Sequence, residues 1–107
     1  MSQPVKSRRE MLEGFVAAHP NDPFGRYGLA MECAKSGDDA TAEKHFSQLM
    51  TEHPGYVPNY FHYAQLLARI GKTEDSRRVF NAGIATAQKA GDSHARDEMQ
   101  AALDDLG

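Results

Sequence analysis

Two short stretches, AAHPNDP at residues 17–23 and TEHPGYV at residues 51–57, carry the same dipeptide, His19-Pro20 and His53-Pro54, 34 residues apart. Two histidines in matched settings suggest either a pair of ligands or bases, or punctuation in a repeated structure. Shifting the whole chain by 34 decides between them. Ala30 then falls on Ala64, Ala34 on Ala68, Gly37 on Gly71 and Phe46 on Phe80, while Tyr27 meets Phe61, Cys33 meets Leu67 and Lys35 meets Arg69. Small residues recur where helices cross, glycines where the chain turns and prolines where helices end. The His-Pro pair is therefore read as a mark of repetition.

Helix breakers divide the 107 residues into six segments, and within each the apolar residues recur every three or four positions. The first runs from about Ser7 to Ala18, with Leu12 and Phe15 on its stripe. The second opens at Asp22-Pro23, an N-cap acceptor before a proline whose missing amide hydrogen is harmless in a first turn. It carries Leu29, Ala30 and Cys33 and stops at Gly37. The third, from Asp38 or Asp39, carries Ala42, Phe46 and Leu49 to Pro54. The fourth, Val57 to Ile70, aligns Tyr60, Ala64 and Leu67. The fifth runs from Thr73 toward Gly91, and the sixth starts at Asp92 or Ser93 with Met99, Leu103 and Leu106. No segment alternates as a strand does. The fold class is all-α, with about six helices joined by turns short enough to make successive helices antiparallel neighbours.

The 34-residue spacing, with Leu29, Ala30, Ala42, Phe46 and Pro54 in one copy and Tyr63, Ala64, Ser76 and Phe80 in the next, resembles the tetratricopeptide repeat family. Arg26 and Gln88 depart from its pattern. The resemblance implies a right-handed superhelix of antiparallel helix pairs in a single domain, residues 1–107. Repeat 1 would span 23–56 and repeat 2 57–90, flanked by capping helices at 7–20 and 92–106. Two repeats are fewer than the three such stacks usually need, so the first helix is expected to pack Leu12 and Phe15 against the Leu29 side. The last should cover the second repeat with Met99, Leu103 and Leu106. Without a proline at Gln88 the fifth helix is expected to run long.

Composition removes several function classes. A formal charge of -3 gives no general attraction to nucleic acid or to an anionic membrane. One cysteine excludes an internal disulfide, and no stretch has the ~20 apolar residues of a membrane span. The expectation is a cytoplasmic protein. The five histidines form no zinc-like spacing. Cys33 lies on a core stripe with no base beside it, and Asp38-Asp39 and Asp104-Asp105, as neighbours on a helix, do not face each other. No catalytic residue, metal site or cofactor is expected, so the reading is not an enzyme. Arg69, Lys72, Arg77 and Arg78 form a basic cluster, read as a solvated turn or as a contact for an acidic segment, including the chain's own acidic C-terminal helix within a dimer.

Partner contacts follow from the resemblance, which implies a concave groove lined by the first helix of each repeat. It assigns Phe24, Tyr27, Met31 and Lys35 in the first repeat and Phe61, Gln65 and Arg69 in the second, with His62 beside them. Helical geometry supports part of this, because Phe24, Tyr27 and Met31 are spaced by three and four and form a stripe offset from Leu29 and Cys33. The expected function is a protein-interaction adaptor that takes a peptide segment of a protein partner. The alternative is a structural module that forms a homodimer through the groove or the last helix.

Overall fold

The computed structural model describes residues 6–107. It contains six helices: α1 (Arg8–Ala18), α2 (Pro23–Lys35), α3 (Asp39–Glu52), α4 (Val57–Arg69), α5 (Thr73–Ala90) and α6 (Ser93–Asp105). Each packs against the next, and α2, α4 and α6 also touch along one side of the stack. The described chain measures 54 × 28 × 21 Å with a radius of gyration of 14.8 Å, against about 13 Å for a globular chain of this length. That elongation is the signature of helix pairs stacked in a row rather than closed into a bundle.

Local chemistry sets the helix ends. Asp22, Asp38 and Asp92 accept backbone amides of the first turns of α2, α3 and α6, and Ser7 with Glu10 forms a capping box at α1. Gly37 and Gly71 both adopt φ +86°, so the same left-handed turn recurs one repeat later. His19 and His53 are the C-caps of α1 and α3, with nearly identical backbone angles (φ/ψ -132°/64° and -133°/65°). A residue before proline is pushed out of the α region, which is why the helix stops at each histidine. Where Gln88 replaces that proline, α5 continues to Ala90 and ends only at Gly91, 18 residues against 14 in α3.

Two clusters share the core. The first centres on Leu29, Ala30, Cys33, Ala42 and Phe46 and takes in Leu66 from α4; the second gathers Tyr60, Ala64, Leu67, Phe80, Ala87 and Met99. Tyr63 packs against both, its ring stacked on Phe46 at 5.8 Å, so the clusters are continuous. Leu103 and Leu106 of α6 pack on the second cluster as expected. Two buried polar side chains pin the crossings: Asn59 Nδ2 donates to the Phe46 carbonyl at 3.1 Å and Ser76 Oγ to the Ala64 carbonyl at 2.7 Å.

Helix α1 departs from expectation in one respect. Leu12 and Val16 pack on the first cluster, but Phe15 lies over the bare backbone of Gly25 and stays 39% exposed. Three residues along a helix turn the side chain by about 60°, so Leu12 points inward while Phe15 is left at the flank.

Candidate functional site: the hollow between α2, α4 and α6

The alignment of α2, α4 and α6 leaves a hollow of about 640 Å³ along their shared side. Its apolar floor comes from Phe46, Leu66, Phe80, Ala102 and Leu106, and its polar rim from Lys35, His62, Gln65, Arg69 and Asp105, with Met31 on one wall. Five of the eight residues expected to contact a partner, Met31, Lys35, His62, Gln65 and Arg69, therefore meet in one place. Phe24 and Tyr27 line an adjoining depression that shares Met31 and Lys35. Phe61 lies one helical turn before Gln65 and lines a separate depression against α6, beside Pro58, Ala95 and Met99, that shares His62 with the hollow.

The aromatic stripe is less open than its spacing suggests. Tyr27 is half-buried, edge-on to Tyr56 at 5.5 Å and tilted to His62 at 5.7 Å. Phe61 is wedged between His62 (5.3 Å) and Phe80 (6.2 Å). Of the stripe, Phe24 stands well out, at 69% exposure. The covering groups are neighbours within the chain: α4 over Tyr27, and α5 and α6 over Phe61.

The basic cluster is internally paired. Arg69 grips Asp39 with two nitrogens at 2.8 and 3.3 Å, Lys72 holds Glu43 at 2.9 Å, Arg78 pairs with Asp75, and Arg77 donates to the Gly107 carbonyl. The first two cross from the α4–α5 turn to α3 and tie the repeats together, each worth less than about 1 kcal/mol at this exposure. Carboxylates from α3 and α5 thus take the place anticipated for the acidic residues of α6. Lys35 has no ion-pair partner among the described residues.

Burial pushes the His62 imidazole below its ordinary value of 6.5, with Glu98 pulling weakly the other way. His45 is lowered by burial first and by Arg26 and Lys44 second. Arg26, the residue that departs from the repeat pattern, explains part of this: its guanidinium reaches His45 Nδ1 and Gln48 Oε1, both at 3.1 Å. Arginine only donates, so His45 Nδ1 must accept, fixing the neutral imidazole with its proton on Nε2. A lowered folded-state value means the unfolded chain takes up protons first as pH falls, so this stabilisation is complete above pH 6.5 and lost below it. The melting temperature is expected to fall from pH 6.5 toward pH 5, with a shallower slope in His62→Gln. An identical slope in that variant would remove His62 from the explanation.

Sequence reasoning missed Ala102, Asp105 and Leu106, because α6 was treated as a cap rather than as the third helix in the α2–α4 row. The available signal was the alternation itself: every second helix lies on the same side. Among the described residues no group of three or more His, Cys, Asp or Glu gathers to hold a metal, and no helix is long and apolar enough to cross a membrane.

No family model matches the chain. A curated protein of Pseudomonas aeruginosa described as TPR repeat-containing is 27% identical over 90 residues, covering 84% of this chain and 86% of that protein. Two solved structures, one by NMR and one by crystallography, of a tetratricopeptide repeat domain protein from Salinibacter ruber are each 33% identical. They superpose with TM-scores of 0.78 and 0.76, covering 81% and 79% of this chain and 88% and 96% of theirs. The solution structure of a Bordetella parapertussis protein, 24% identical, shares the fold with a TM-score of 0.82 over 95% of this chain and 89% of its own. With the 34-residue period, the paired helices and these likenesses together, the chain belongs to the tetratricopeptide repeat family.

Proposed function

We propose that this protein is an interaction adaptor whose hollow between α2, α4 and α6 receives a short segment of a protein partner. The observation that carries this reading is the convergence of Met31, Lys35, His62, Gln65 and Arg69 on one concavity with an apolar floor. The rim is close to neutral: Arg69 is matched by Asp39, Asp105 offsets Lys35, and His62 is held uncharged at neutral pH. Affinity would then come mainly from apolar side chains packing on the half-buried Met31, Ala102 and Leu106, above the buried Phe46, Phe80 and Leu66, with Gln65 and Lys35 fixing orientation. So small a surface supports binding of roughly micromolar strength.

The test compares proteins captured by immobilised wild type with those captured by Met31→Asp/Gln65→Asp, one change on the half-buried wall and one on the exposed rim, with retained folding verified by circular dichroism. A set of partners lost from the double variant supports the adaptor. The same captured set from both proteins would overturn it. A wild-type dimer that the double variant converts to a monomer in light scattering would instead favour self-assembly through the hollow. Self-assembly through α6 has less support, because Leu103 and Leu106 already pack inside the stack.

A further inference from the structure

The large apolar side chains that stand exposed among the described residues, Met11 (57%), Phe15 (39%) and Phe24 (69%), all line one hollow of about 250 Å³ at the α1 end of the stack. The internal period explains what this patch lacks. Arg8, Met11 and Phe15 correspond to Ala42, His45 and Leu49 in α3 and to Ser76, Val79 and Gly83 in α5. In those complete pairs the same positions touch the helix that precedes them. Ser76 bonds the Ala64 carbonyl of α4, His45 takes a hydrogen bond from Arg26 of α2, and the Gly83 backbone lies against Tyr60 Cβ of α4. Leu49 and Val79 are accordingly 0% and 6% exposed. Helix α3 is flanked by α2 and α4, and α5 by α4 and α6, but α1 by α2 alone.

We infer that the Arg8–Met11–Phe15 flank of α1, with Phe24 of α2, is a second docking seat, bordering at Arg8 and Phe24 the depression beside the groove, for one amphipathic helix of a protein partner. That helix lies antiparallel to α1, continuing the interface that α2 makes with α3 and α4 with α5. The opposing positions specify its chemistry. In α4 they hold Tyr60, Ala64 and Leu67, an i, i+4, i+7 set. An apolar residue at i meets Met11 and Phe15, and one at i+7 extends the contact. At i+4 a small residue would face Ala42 or Ser76, but here the position opposite is Arg8. Its Nε is ion-paired with Glu32 at 3.4 Å while its side chain stays 70% exposed, so the remaining guanidinium nitrogens face the seat and a carboxylate on the visitor would meet them there.

A second copy of this chain fits less well. The unpaired helix it could offer, α6, turns Arg96 and Gln100 outward and spends Met99 and Leu103 on its own core. In an antiparallel α1–α1 pair, Glu10 and Glu13 of the two copies would share one flank and repel.

The probe is a helix-stapled synthetic peptide of residues 57–69 carrying Ala64→Glu, labelled and titrated with the intact protein by fluorescence anisotropy. Binding of roughly micromolar strength is expected, weakened about tenfold or more by Met11→Asp and by Arg8→Glu. Both side chains are exposed, so folding, followed by circular dichroism, should be retained. Arg8→Glu should regain affinity for the Ala64→Lys peptide, a charge exchange that a merely sticky patch would not reproduce. Lack of binding at about 1 mM, binding indifferent to both substitutions, or loss on Met31→Asp instead would each overturn the inference. A Met11-dependent dimer in sedimentation would overturn it too, by giving the seat to a second copy.

Discussion

Phe46→Ala is expected to destabilise the protein by about 3 to 5 kcal/mol, the usual cost of deleting a fully enclosed aromatic ring together with the cavity it leaves. Phe46 is 1% exposed and stands where the repeats join. It packs with Leu29 and Ala42 of its own pair and with Leu66 of the next, stacks on Tyr63, and its carbonyl takes the Asn59 amide. A row of helix pairs has little with which to close such a gap, because each unit touches only its neighbours. A domain of this length has about 5 to 15 kcal/mol in all, so the loss is a large share. The melting temperature should drop by roughly 12 °C or more. Thermal denaturation followed at 222 nm measures it, and a drop below about 4 °C would mean that the junction is not the strong point of the stack.

Gly83→Ala is expected to cost about 2 kcal/mol, and the sign follows from two opposed magnitudes. Replacing glycine by alanine inside a helix gains about 1 kcal/mol of propensity. Against that, a Cβ on Gly83 would lie 2.5 Å from both Tyr60 Cβ and Met99 Sδ. Tyr60 Cβ is fixed to the α4 backbone, so the clash cannot be relieved by a rotamer change and α4 must move away from α5, an overpacking of up to about 3 kcal/mol. Gly25→Ala is the matched control. Its new methyl group would meet only the Phe15 ring, which is partly exposed and can swing out, so propensity and clash should nearly cancel. Urea unfolding of the two variants side by side tests the argument, and equal midpoints would refute it.

Both predictions depend on contacts of different legibility. The helices, their order and their ends could be read along the chain because each is a local matter. Asp22 before Pro23 starts a helix, a residue ahead of Pro20 or Pro54 cannot continue one, and Gly37 and Gly71 take the left-handed turn. That Met31 and Lys35 of α2 and Gln65 and Arg69 of α4 line one concavity agrees with the positions the family resemblance implied, since a 34-residue period carries one face of a helix to the same face of the next. That Gly83 leaves no room for a side chain depends on Tyr60 and Met99 arriving from two other helices, which nothing along the chain announces.

Charge and exposure were decided by the tertiary structure alone. Nothing near Arg69 in the sequence announces Asp39, 30 positions away, yet that pair removes the free cation that the basic cluster seemed to offer. Phe61 and Tyr27 match in the repeat and both are half-buried, but Phe61 is covered by Phe80 of α5 and by α6 whereas Tyr27 is covered by Tyr56 and His62. Periodicity fixes which face of a helix turns toward its neighbours. Whether a side chain on that face is covered, paired or left to solvent depends on which neighbour stands opposite, and at Met11 and Phe15 the opposite place holds no helix of the described chain.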